Sequence, residues 1–210
     1  MENVDLIFSA ILAAILLFVI FDAFFRAWGI KVCSDALKCD VKLVEGLWYA
    51  KSRYLPFLVY NLLLQSITFA GAIPLYYVIR GIDKTDIHSV VQSAIAFLVW
   101  AIVLMIVISV ILFLFTFVPY AIVLDGESVL TSIKKGYRVL RISITETVIF
   151  WLLLVLVGML TWVPFYPLQL LGFVGFVVSH ILSIIAAWLI VAPIVTSWWI
   201  ELYKRKSKML

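Results

Sequence analysis

The side chains able to do chemistry in this 210-residue chain are few and far apart. Cys33 and Cys39 would ligate a metal or cycle between thiol and disulfide if they met. Six positions put them about 240° apart around a helix, in a segment expected on the cytoplasmic side, where disulfides are rare. His88 and His180 have no carboxylate obviously paired with them, so packing or an interhelical hydrogen bond is the plainer reading of His180, beside Ser179. Asp125-Gly126 in "LDGES" offers one carboxylate without the further aspartates an acidic metal site needs. There is no glycine-rich phosphate loop, no HExxH, no GxSxG and no CxxC. These types and spacings point away from catalysis, and we expect no enzyme, no metal and no cofactor.

Three polar features fall in or beside apolar runs. Asp22 precedes Arg26 by four residues, so the two share a helix face and can neutralise each other, avoiding the ~2.5–3.5 kcal/mol insertion cost of an unpaired charge. Asn61, Gln65 and Thr68 recur at i, +4 and +7, a polar face that joins helices or lines a solute path. Glu146 lies within reach of Arg141 and Lys135 but is expected to sit in interfacial water.

What must position these residues is dictated by composition. The chain is 66% hydrophobic and 13% charged, with a mean hydropathy of +1.19, whereas soluble domains are about 45–50% apolar. Several runs reach the ~20 residues needed to cross ~30 Å of hydrocarbon, and none alternates as a β-barrel strand would. The expectation is a single all-α integral membrane domain, residues 1–210. Its five spans are read at about 6–25, 55–78, 90–118, 147–163 and 173–199. Pro164 and Pro167 in "PFYPLQ" end the fourth.

Of the sixteen basic residues, six lie from Arg26 to Arg53, four from Lys134 to Arg141 and four from Lys204 to Lys208. Only Arg80 and Lys84 fall on the other side. The positive-inside rule then predicts a multi-pass protein of the cell membrane, N-terminus outside and C-terminus cytoplasmic. "MENVDLIF" has neither a basic start nor a cleavage site, so the first run reads as an uncleaved span. The pI of about 9.1 is accounted for by topology and calls for no nucleic-acid partner. Trp198, Trp199 and Tyr203 at one side, and Tyr76, Tyr77, Trp162 and Tyr166 at the other, read as interfacial belts.

An offset of 87 residues aligns "LVEGLWYAKSRYLPF" with "LTSIKKGYRVLRISI", pairing Lys51 with Arg138 and Gly71 with Gly158. Each copy has an acidic or Ser/Thr start, a basic amphipathic helix (about 41–54 and 128–142) and a span, the layout of a weak parallel repeat. In the second helix Leu130, Ile133, Tyr137, Leu140 and Ile144 form an apolar stripe flanked by Lys134, Lys135, Arg138 and Arg141. Leu43, Leu47, Ala50 and Tyr54 form the first stripe, with Lys42, Lys51 and Arg53 off it. Asp125-Gly126 supplies a turn and Ser128 an N-cap. Both helices are expected to lie on the cytoplasmic face, with Lys134, Lys135, Arg138, Arg141, Lys51 and Arg53 contacting anionic headgroups at about 1 kcal/mol per charge.

"PYAIVLDGESVLTSIKKGYRVLR" and the ending "APIVTSWWIELYKRK" resemble the membrane domain attached to some glycerophosphodiester phosphodiesterases and related uncharacterised archaeal and bacterial membrane proteins. In that group a Ser commonly precedes the aromatic of the amphipathic helix, where this chain has Gly136 before Tyr137. The catalytic phosphodiesterase domain is absent from these residues. The reading that follows is a non-enzymatic accessory, scaffolding or lipid-interacting protein. Its expected partners are anionic membrane lipids and an unidentified membrane protein or a second copy. A small-solute or lipid carrier using the polar face of span two is the alternative.

Overall fold

The computed structural model describes residues 2–80 and 87–210, and among these every regular element is helical. Two long helices, α1 (Glu2–Ala36) and α2 (Leu43–Arg80), form an antiparallel hairpin. α3 (Ile87–Leu114) returns to the same end as the hairpin turn. There α4 (Val118–Tyr120), a π-helical turn (Ala121–Asp125) and α5 (Val129–Ile142) follow one another. α6 (Ile144–Trp162) leads through a 3₁₀ segment (Val163–Leu171) to α7 (Gly172–Ala186), and a second π turn (Ala187–Val191) joins it to α8 (Ala192–Ser207). Five helical stretches are long and apolar enough to cross a membrane: Leu12–Ala36, Leu43–Val78, His88–Asp125, Ile144–Gln169 and Val174–Ser207. Lys84 lies outside the described residues, and His88 falls in the first turn of α3.

The prolines explain the interruptions. Pro119 has no N–H to return to the carbonyl of Phe115, which accepts instead from the Val118 amide at 3.1 Å and the Tyr60 hydroxyl at 3.3 Å. Pro193 stands just after the second π turn, where widening of the helix accommodates its ring. Near Pro74 the Gly71 carbonyl accepts the Trp100 indole N–H at 2.8 Å. A side chain on Gly71 would run into Leu104, so α2 and α3 approach closely there.

The expected first amphipathic helix does not exist as a separate element. Residues 43–54 and span two are one 38-residue helix, about 57 Å long at 1.5 Å per residue. α1 likewise continues to Ala36, well past the expected end at residue 25. The extra turns pack on each other: Ala27, Ile30 and Ser34 of α1 and Gly46 and Ala50 of α2 are all buried, and a Cβ on Gly46 would meet Trp28 and Val32. Small residues let the two helices approach closely, so tertiary contact continues α2 through the region where pattern alone suggests a surface helix. The aligned copies therefore differ, because the chain breaks between α5 and α6 at Ser143 while α2 runs on through Pro56.

The buried residues lie almost entirely at the basic end. They begin at Val19 of α1, stop at Asn61 of α2, resume at Phe117, and after Thr147 reappear at Trp199. Beyond that boundary the buried residues among those described are Gly175, Ser179 and Ser183 of α7. The molecule thus has a packed head at the basic end and apolar legs whose side chains face outward.

Candidate functional site

The head is organised around the loop that was expected to turn at Asp125-Gly126. Gly126 takes φ +72°, a conformation open to glycine, and the Ser128 hydroxyl accepts from the Thr131 amide at 3.5 Å as the N-cap of α5. Three elements grip the loop. From α2, the Tyr49 hydroxyl donates to the Val123 carbonyl and Arg53 Nη1 donates to the Gly126 carbonyl at 2.8 Å. From α8, the Tyr203 hydroxyl donates to the Asp125 carboxylate, which also pairs with Lys135 of α5 at 2.8 Å. Arg53 and Lys31 both lie over the Tyr49 ring, at 5.8 and 5.1 Å. Lys135 and Arg53 are therefore committed to this clamp, which sets them apart from Lys134, Arg138, Arg141 and Lys51, all exposed.

α5 has three faces. Ser132, Gly136, Val139 and Leu140 are buried, and a Cβ on Gly136 would sit 3.0 Å from the Val118 amide nitrogen and 3.2 Å from the Phe117 carbonyl carbon. This face, rather than the full expected stripe, packs inward because small residues allow contact with backbone. Leu140 alone of that stripe is buried. Leu130 (73% exposed) and Tyr137 (56% exposed) form an outward apolar shoulder with half-buried Ile133. At 3.6 residues per turn, the basic ridge of Arg141, Lys134 and Arg138 comes next round the helix.

The other expected polar features divide. Asp22 accepts from Asn61 at 3.0 Å and pairs with Arg26 at 3.3 Å, so span one and the start of the span-two polar face do meet. Gln65 is half-exposed and Thr68 bonds its own helix at Leu64, so neither extends that cluster. Glu146 pairs with Lys206 at 2.6 Å and with Arg205 at 3.8 Å rather than with Arg141 or Lys135. These partners come from the far end of the chain, beyond reach of local spacing. His180 bonds the Phe176 carbonyl of its own helix at 2.8 Å. Cys33 and Cys39 are both free thiols. Trp199 and Tyr203 are buried core residues rather than an interfacial belt: Phe117 meets Trp199 edge-on at 5.6 Å and lies 6.2 Å from Tyr203. Among the described residues, no three His, Cys, Asp or Glu side chains gather to hold a metal ion.

Sequence reasoning missed the Tyr49 and Tyr203 contacts to the loop and the Lys204 Nζ to Ser34 Oγ bond at 2.7 Å. The signals available were a Tyr four residues before Arg53 and a Tyr beside a basic run, too common to single out.

Residues 2–200 match the family described as a domain of unknown function (DUF7847). An uncharacterised protein of Archaeoglobus fulgidus is 37% identical over 214 residues, covering 99% of this chain and 71% of that protein's length. No solved structure matches. The chain belongs to the DUF7847 family.

Proposed function

We propose that this DUF7847 protein is a five-span protein of the cell membrane, with its N-terminus outside and its head cytoplasmic. In this reading the head is a non-enzymatic accessory or scaffolding element that engages anionic lipid through α5. The observation that carries it is the three-faced α5, whose apolar shoulder of Leu130, Ile133 and Tyr137 adjoins a ridge of three exposed cations. Such a helix seats its apolar side at the headgroup boundary, and each nearby Lys or Arg adds about 1 kcal/mol of attraction to anionic lipid. The fourteen-to-two division of basic residues supports the cytoplasmic assignment. The resemblance to membrane domains that accompany glycerophosphodiester phosphodiesterases is in keeping with a supporting role and belongs to the same proposal.

The test is amide exchange of the full chain in nanodiscs. Residues 129–142 are expected to be better protected in phosphatidylglycerol than in phosphatidylcholine, and the Lys134→Gln/Arg138→Gln/Arg141→Gln variant to lose that difference. Equal protection in both lipids for the unaltered chain would overturn the lipid reading. Solute uptake by liposomes carrying the protein, abolished by Asn61→Leu, would move the function to a carrier.

A further inference from the structure

A cleft of about 700 Å³ opens at the basic end between the turn after α1, α6 and α8, on different residues from the α5 ridge. Its walls carry four cations, Lys38, Lys204, Arg205 and Lys208, and one carboxylate, Glu201. Lys204 is hydrogen-bonded to an uncharged partner, Ser34, so its charge is not neutralised by that contact. Glu146 also lies near Arg205, at 3.8 Å, but its shorter contact, at 2.6 Å, is to Lys206. The other end of the cleft is aromatic: Phe150 of α6 stacks on Trp198 of α8, centroids 5.9 Å apart and rings 24° from parallel.

The order of these groups along α8 matters. From Trp198 to Lys208 is ten residues, about 15 Å at 1.5 Å per residue. Along that length the lining passes from aromatic, on the side of the apolar spans, to cationic at the chain's basic end. A small soluble anion would use only the cationic part. An amphiphile with a phosphate at one end and hydrocarbon below it would use both, and the size lies within the ~300–1,000 Å³ of ordinary ligand clefts. We infer that this cleft is a discrete binding site for one anionic phospholipid. Its phosphate would lie among Lys38, Lys204, Arg205 and Lys208, and its upper acyl chain against Phe150 and Trp198. The inference rests on the membrane reading above but uses none of the α5 cations, so the two can fail separately.

Native mass spectrometry of the full chain in mild detergent tests it, with phosphatidylglycerol, phosphatidylcholine and soluble glycerol phosphate as probes. The expected result is one retained phosphatidylglycerol per chain, with much weaker retention of the other two. Lys38→Gln/Arg205→Gln/Lys208→Gln is expected to weaken phosphatidylglycerol about a hundredfold, each surface cation contributing roughly fivefold. Glu201→Gln, at an exposed position, is expected to tighten it, which guards against a triple variant that loses binding by misfolding. The Lys134→Gln/Arg138→Gln/Arg141→Gln variant should retain the single lipid. Equal retention of phosphatidylglycerol and phosphatidylcholine, binding of glycerol phosphate as strong as the lipid, or no tightening by Glu201→Gln would overturn the site.

Discussion

The head of this molecule carries fourteen of the sixteen basic residues yet encloses its apolar side chains, whereas the legs are far more apolar and leave most of theirs exposed. In the head, Phe117, Ile122, Val139 and Ile200 are fully enclosed, and loop carbonyls at Val123 and Gly126 are taken up by Tyr49 and Arg53. In the legs, no described side chain from His88 to Leu114 is buried. If the legs lie in a bilayer as proposed, water drives the first arrangement and is missing from the second. Lipid tails are as apolar as leucine, so helices within a bilayer gain little by hiding leucines from them. A part of the chain in water must instead collapse around its apolar residues and satisfy its loop backbone.

Truncation separates the two regions most sharply. Phe117→Ala, at a fully buried position, is expected to cost about 3–5 kcal/mol. Leu152→Ala, where the side chain is 65% exposed, is expected to cost less than about 0.5 kcal/mol. Thermal unfolding in detergent reads both, and similar losses would mean that the legs pack as the head does.

The same substitution is expected to change sign between the regions. Gly136→Ala places a methyl against the Phe117–Val118 backbone and should destabilise by about 1–3 kcal/mol. Gly158→Ala, with nothing within 4 Å of the new methyl, should stabilise α6 by roughly 0.5–1 kcal/mol through helix propensity. A loss at Gly158 would reveal a partner helix against that face.

At the boundary between the regions the effects are smaller. Asn61→Leu removes an interhelical hydrogen bond to Asp22 and should cost about 0.6 kcal/mol. Gln65→Leu and Thr68→Leu should cost less, because Gln65 is already half-exposed and Thr68 bonds only its own helix. Equal losses at all three would extend the head's polar packing one turn into the legs.

How much of this was legible depends on whether the cause is local. Apolar run length gives five stretches able to span, and the glycine turn and Ser128 cap follow from residue type alone. The Asp22–Arg26 pair is read from i, i+4 spacing. Several contacts that build the head join residues 39 to 170 positions apart, as in Asn61 with Asp22 and Lys204 with Ser34, and one chain's pattern does not encode those distances. The hydrophobic stripe of α5 was readable, but not which side would face protein. Gly136 decides that by admitting backbone where a larger residue would not.

For the proposed arrangement, with the head cytoplasmic and the legs crossing the membrane, the protein carries its own probe. Cys39 is exposed in the turn between α1 and α2, at the head, while His88 is exposed at the opposite end. In a Cys33→Ala background, a membrane-impermeant maleimide applied to intact cells should leave Cys39 unlabelled until lysis. With Cys39→Ala and His88→Cys added instead, the same reagent should label before lysis. Labelling of Cys39 in intact cells, or of both positions from the same side, would contradict the five-span arrangement and its orientation.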